Sequence, residues 1–263
     1  MVAAKVAAAD FDNCQIKARQ PGGSLALTKD FPFMKWTTAS TACSGNNIRQ
    51  RPLVIAFSGI FAAFWAVSFA GTTDLANWWI ENLLVILFTG ALVLSFRRFA
   101  FSDLSYALIL VFLILHVYGA KYAYADNVLG FWIQKHFHTA RNPYDRIVHT
   151  SFGLLMSYPV RELLKRRMKV SERWNWILPA ELILSMSALF ELIEWSIADI
   201  FFPAHGASYV GTQGDIWDAQ KDIFVATCGA IVAMLAGWMI RQLLLDAEKR
   251  KASFGPTKKL VSA

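Results

Sequence analysis

Cysteine is scarce in this chain: Cys14, Cys43 and Cys228 are the whole complement, odd in number and far apart. Such a set supports neither a disulfide framework nor a thiolate metal cluster, and it fixes no redox compartment. Charge is thin as well. Only 17% of residues are Asp, Glu, Lys or Arg against 56% hydrophobic, too few to clothe a soluble domain of 263 residues. No Gly-rich dinucleotide loop, nucleoside-triphosphate loop or Ser/His/Asp arrangement stands out, so nucleotide and serine-hydrolase chemistry are not indicated. The first residues lack a basic region followed by an apolar core and a small-residue cleavage site, so a cleaved secretory signal is not expected.

Long apolar runs are what the sequence has instead. They fall at about 52–70, 77–96, 103–119, 147–164, 176–200 and 223–245, each near the roughly 20 residues that cross hydrocarbon as a helix. The expected fold is all-α: a polytopic transmembrane helix bundle of six spans. Glu81 and Asn82 interrupt the second run, and Ser157, Pro159, Arg161 and Glu162 punctuate the fourth, so five spans is the alternative. Residues 1–50 show no sustained period and read as an N-terminal tail, 51–246 as the transmembrane domain, and 247–263 as a basic tail.

The net charge of +7 is distributed as membrane anchors are, not as a nucleic-acid surface is. Arg49 and Arg51, then Arg97 and Arg98, then the run from Arg161 to Arg173, then Arg241 and Lys249 to Lys251 occupy every second connection. By the positive-inside rule these connections and both termini are cytoplasmic. The other connections, with Asp74, 120–146 and 201–222, then face outward.

The unusual polar residues gather on that outward side. Asn142-Pro143 forms a turn before the fourth span, and Asp145 and His149 follow at i, i+4 on one helical face. That spacing lets a carboxylate orient an imidazole or gives a metal two ligands from one turn. Glu191 and Glu194 lie roughly 22 and 27 Å along a helix entering at Trp176, the same depth. His116 ends the third span near them. A helix starting at residue 215 would place Asp215, Asp218 and Asp222 on one stripe just before the sixth span. Membranes tolerate such groups only with a partner or a use.

Each residue also has a plainer role. Arg141 and Arg146 can neutralise the carboxylates as a structural network, and an Asp at a helix N-terminus is favoured by the dipole alone. His136, His138 and His205 suit the interface or water. Trp132, Trp195 and Trp217 suit an aromatic belt. Gly211 and Gly214 permit a tight backbone but signal no phosphate loop.

Three stretches, GFWIQKHFHTARNPYDRIVH, ALFELIEW and GTQGDIWDAQKD, resemble in order and spacing the YjdF-type family of bacterial inner-membrane proteins, over about residues 52–245. More distantly, Asp145-Arg146-Ile147-Val148-His149, then Glu191 or Glu194, then Asp218 or Asp222 is similar to the pattern of VanZ-like membrane proteins. The resemblance implies a multi-pass protein of the bacterial inner membrane and supplies no substrate. From the residues themselves, the expected catalytic groups are Asp145, His149, Glu191, Glu194 and Asp218. The expected metal ligands are His149, Glu194, Asp215, Asp218 and Asp222, for Mg²⁺, Mn²⁺ or Zn²⁺. Arg141, Arg146 and His116 are expected to bind a lipid-linked or envelope substrate. An ion-coupled transporter and a non-catalytic scaffold held by buried ion pairs are the alternatives.

Overall fold

The computed structural model describes residues 48–72, 74–201, 203 and 211–253. The expectations for the N-terminal tail, Cys14, Cys43 and His205 lie outside those residues. Helix α1 (Pro52–Ala70) begins on a proline, whose missing N–H costs nothing at a first helical position. Helix α2 (Leu75–Ser95) is capped by Asp74, which accepts from the Asn77 N–H, and α3 (Asp103–Lys121) by Ser102, which accepts from that of Ser105. A short helix α4 (Val128–Phe137) is capped by Asn127. Helix α5 (Tyr144–Arg166) leads to α6 (Trp174–Trp195), which continues into a π-helical turn at Ser196–Phe201. Last comes α7 (Asp218–Ser253), which stays helical through the start of the basic tail.

Five of these segments are long and apolar enough to cross a bilayer: Pro52–Ala70, Leu75–Ser95, Asp103–Lys121, Trp174–Phe201 and Asp218–Arg250. Helix α5, with 23 residues, would span about 35 Å, yet its composition is too polar to qualify. Its position explains the difference. It packs against α3, α6 and α7, so its polar side chains meet protein where the other helices meet lipid. The bundle therefore has five apolar helices, three of which enclose a sixth, polar one. Helix α4 does not cross; it exposes Phe131, Trp132 and Phe137, as an interfacial segment does.

Contacts between helix ends fix which termini share a side. At one end Arg51 pairs with Asp103 and donates to the Phe101 carbonyl, and Glu162 accepts from the Ser102 N–H and Oγ, each at 2.8 Å. Glu172 there collects Lys165, Arg161 and Arg241 at 3.2–3.6 Å, and Arg161 stacks 3.6 Å from the Trp176 ring centroid. The other end carries α4 and the connections 139–143 and 211–217. Between the ends, Val85, Ile109, Leu113, Val117, Met156, Ile183, Ala226 and Ala230 form the core. Helices α5 and α7 meet almost backbone to backbone. A Cβ on Gly153 would fall 1.8 Å from the Ala226 oxygen, and one on Gly229 2.4 Å from the Thr150 oxygen, the close approach that small residues permit in membranes.

Candidate functional site

The connection before α7 is the keystone of the polar end. Its backbone turns through left-handed conformations at Gly211, Gln213 and Gly214, with φ of 58°, 51° and 84°, two of the three being the residue that adopts them without strain. The turn docks on the connection before α5: Asn142 N donates to Gln213 Oε1 at 2.9 Å, and Gln213 Nε2 donates back to the Asn142 carbonyl at 3.2 Å. The helix starts at Asp218, not at residue 215. Asp218 and Asp222 share a face at i, i+4, whereas Asp215 reaches the same place by folding back in the turn.

Two layers result. In the outer one, Arg141 bonds to Asp218, and Arg146 Nη2 contacts Asp215 at 2.7 Å and Asp218 at 3.0 Å. Lys221 Nζ reaches Asp215 at 2.7 Å. Hydrogen bonds from Lys221, then Arg146, hold the Asp215 carboxyl well below the usual carboxylate range. In this layer Asp215 and Asp218 are both met by cations, while Arg141 Nε and Nη2 and Arg146 Nε keep N–H groups that no described residue accepts.

The inner layer is different in kind. Asp145, one helical turn before His149, places Oδ1 3.5 Å from its Nε2, and Glu191 Oε1 lies 3.5 Å from the same nitrogen. Asp145, His149 and Asp222 each offer a ligating atom, all within 4.8 Å of one another. Two ligands flanking one ion at 2.0–2.4 Å sit at most about 4.8 Å apart, so the three fit a single divalent cation without rearrangement of the helices. Arg146 approaches Asp222 only to 3.7 Å. Asp222 Oδ1, Glu191 Oε1 and Glu81 Oε2 are buried oxygens without a hydrogen bond among the described residues, an expensive condition in hydrocarbon.

Beside this layer lies a cavity of about 310 Å³. His116, Tyr124, Asp145, His149 and Glu194 line its polar part; Leu84, Leu87, Phe88, Met186, Leu189, Phe190 and Ile193 line the rest. The apolar wall comes from α2 and α6, which flank the cavity without forming a packed interface with each other, while α3 and α5 form its back. Leu87 and Leu189 are largely exposed on the bundle's outside. The cavity is thus a cleft between membrane helices, greasy at its mouth and acidic at its end.

The structure gathers Asp145, His149, Glu191, Glu194, Asp218, Asp222, Arg141, Arg146 and His116 at one end of the bundle, with Asp215 at the rim. It separates Asp215 and Asp218, engaged by arginine and lysine, from Asp222, and the three ligating atoms it brings within 4.8 Å of one another belong to Asp145, His149 and Asp222, with Glu194 on the adjoining cavity wall. Asp199 is exposed and stands apart, as do His136 and His138. Two members were not expected. Glu81, 4% exposed on α2, was legible only as an acid interrupting an apolar run. Tyr124 follows α3 in an irregular turn and gave no periodic signal.

The family described as "Predicted membrane protein (DUF2238)" matches residues 53–243. The chain is also similar to the "Inner membrane protein YjdF" of Escherichia coli (strain K12), 38% identical over 174 residues, which is 65% of this chain and 82% of that protein. No solved structure matches.

Proposed function

The chain belongs to the DUF2238 family of membrane proteins, and from that premise we propose that it is a multi-pass inner-membrane protein with a divalent-cation site at the outward end of its bundle, acting on a lipid-linked or envelope substrate by hydrolysis or group transfer. The observation that carries the proposal is that Asp145 and His149 line the polar end of a cleft bordered by membrane-facing helices, with a ligating oxygen of Asp222 within 4.8 Å of theirs. A substrate with an apolar tail enters such a cleft sideways, and its polar end then meets the acids. Aspartate and imidazole together suit Mg²⁺, Mn²⁺ or Zn²⁺. A cation held by Asp145, His149 and Asp222 would supply Lewis-acid activation of water, and Glu191 or Glu194, neither paired with an arginine among the described residues, would be the general base. Arg141 and Arg146 retain N–H groups without acceptors and suit an anionic part of the substrate at the rim.

Metal content of the purified protein tests this. About one equivalent of divalent metal is expected in wild type, falling sharply in His149→Ala and in Asp222→Asn. Wild type free of stoichiometric metal would remove the cation from the proposal. The transporter alternative needs polar groups continuing toward the other face. Beneath the cluster the bundle is filled by Leu113, Met156 and Ile183, and Glu181, the next acid along α6, is exposed, which favours chemistry at one face over transit.

A further inference from the structure

His116 and Tyr124 sit against the cleft but outside the ligand set, and their hydrogen bonds determine what the cleft can recognise. His116 Nε2 lies 3.3 Å from the backbone carbonyl of Glu81, which can only accept, so this nitrogen carries the ring proton. Its Nδ1 lies 2.6 Å from the Tyr124 hydroxyl. His116 is 6% exposed and has no carboxylate within ion-pair distance among the described residues. A buried imidazolium there would be uncompensated, so the ring is neutral and Nδ1 is an acceptor. The tyrosine must then donate its proton to Nδ1. A weaker contact from the same hydroxyl also ends on His116, at its carbonyl, 3.3 Å away. Burial, then the neighbouring carboxyls of Glu81 and Asp145, pushes the Tyr124 phenol well above its ordinary range, so the O–H is retained.

With its proton committed, the Tyr124 oxygen has only lone pairs to offer. The groups around it are carboxyls: Glu81, Asp145 and Glu194 are all close enough to act on it electrostatically, and Glu81 Oε2 is buried without a hydrogen bond from any described residue. The chain has shaped itself to hold this oxygen in place. Ala123 and Tyr124 both take left-handed backbone conformations, φ 46° and 48°, a strain of the kind that persists when the surroundings impose it. Gly119 leaves the room: a Cβ there would lie 2.6 Å from the Tyr124 ring.

We propose that the Tyr124 oxygen, with Glu194 on the same cleft and Glu81 close behind, forms an acceptor-rich subsite for the headgroup of a membrane lipid, selecting a head that bears N–H or O–H donors, such as a primary ammonium, over a fully methylated one. This rests on the lipid cleft described above but not on the metal. The head's donors would meet the Tyr124 lone pairs and the carboxyl of Glu194 on the cleft wall, which a trimethylammonium head cannot do.

The experiment uses the full-length protein in nanodiscs of equal parts phosphatidylethanolamine and phosphatidylcholine, which differ in methylation at the same net charge. Lipid that stays bound on transfer to detergent is quantified by mass spectrometry, with bound metal measured on the same samples. Wild type should retain phosphatidylethanolamine over phosphatidylcholine by about threefold to tenfold, the value of one net hydrogen bond. Tyr124→Phe, which keeps the ring and removes the oxygen, should bring the ratio close to one; Glu81→Gln, which adds a donor, should lower it independently if the tyrosine variant does not fold. Equal retention in wild type, or a preference that survives both substitutions, overturns the subsite. Retention of neither lipid sinks the lipid cleft and the subsite together, whereas missing metal with the preference intact sinks only the cation.

Discussion

At the scale of single residues, Asp218 and Asp222 show how one helical face can hold two unlike carboxylates. Asp218 contacts both Arg141 and Arg146; Asp222, one turn deeper, keeps an oxygen that no described residue hydrogen-bonds. Truncating one partner of a buried ion pair strands the other charge, at a cost of about 3–5 kcal/mol. Asp218→Ala is therefore expected to lower the thermal stability of the purified protein markedly. Asp222→Asn should leave the melting temperature near wild type, or raise it, while removing metal. Equal losses of stability in the two variants would contradict the division into layers. Asp215 adds a dependence on pH. Its carboxyl is held low by Lys221 and Arg146, so its contribution is fully present above the ordinary aspartate value of about 4 and is lost as pH falls through its lower folded value. Hydrogen exchange of the 211–217 turn should accelerate only in strong acid, and that acid step should be absent in Asp215→Asn. The same rate profile in both proteins would show that another group governs the turn. The acids were readable from sequence because a charge in an apolar run is conspicuous. Their division was not, because it depends on which carboxylates two arginines 69–77 positions away happen to reach.

At the scale of elements, α5 is where sequence and structure diverge most usefully. Hydropathy alone cannot tell a polar transmembrane helix from a surface one, since the deciding fact is what surrounds it. Here α3, α6 and α7 surround it, and the Gly153–Ala226 and Gly229–Thr150 approaches to α7 set the distance between Asp145 and His149 on one helix and Asp222 on the other. Gly153→Ala should force the two backbones apart. A destabilisation of about 1–3 kcal/mol is expected from overpacking, accompanied by weaker metal binding although no ligand has changed. A control at Gly59, where an added Cβ meets nothing within 4 Å, should alter neither property. Were Gly153→Ala to bind metal as wild type does, the helix spacing would not be what assembles the centre. Turn geometry was the other thing hidden from periodicity: Gly211 and Gly214 signalled a tight backbone, but the reciprocal bonds between Gln213 and Asn142 join segments 71 positions apart.

At the scale of the whole molecule, all the proposed chemistry sits at one end of the bundle and most of the lysine and arginine clusters at the other. Arg97, Arg98 and the run from Arg161 to Arg173 lie on the side where α2 and α5 end, opposite α4 and the acid cluster. The positive-inside rule therefore predicts that the acids face outward, and an envelope substrate requires the same orientation, so one measurement tests both. In a background with Cys14, Cys43 and Cys228 replaced by serine, a single cysteine is placed at an exposed position on either side, as Lys135→Cys on α4 or Arg98→Cys between α2 and α3. A membrane-impermeant maleimide applied to intact spheroplasts should label Lys135→Cys and should reach Arg98→Cys only after the membrane is opened. The reverse pattern would put the Asp145–His149–Asp222 centre on the cytoplasmic face. An envelope substrate would then be excluded, while a lipid arriving sideways between α2 and α6 would remain accessible, because a lateral cleft is open to the bilayer whichever way the bundle points.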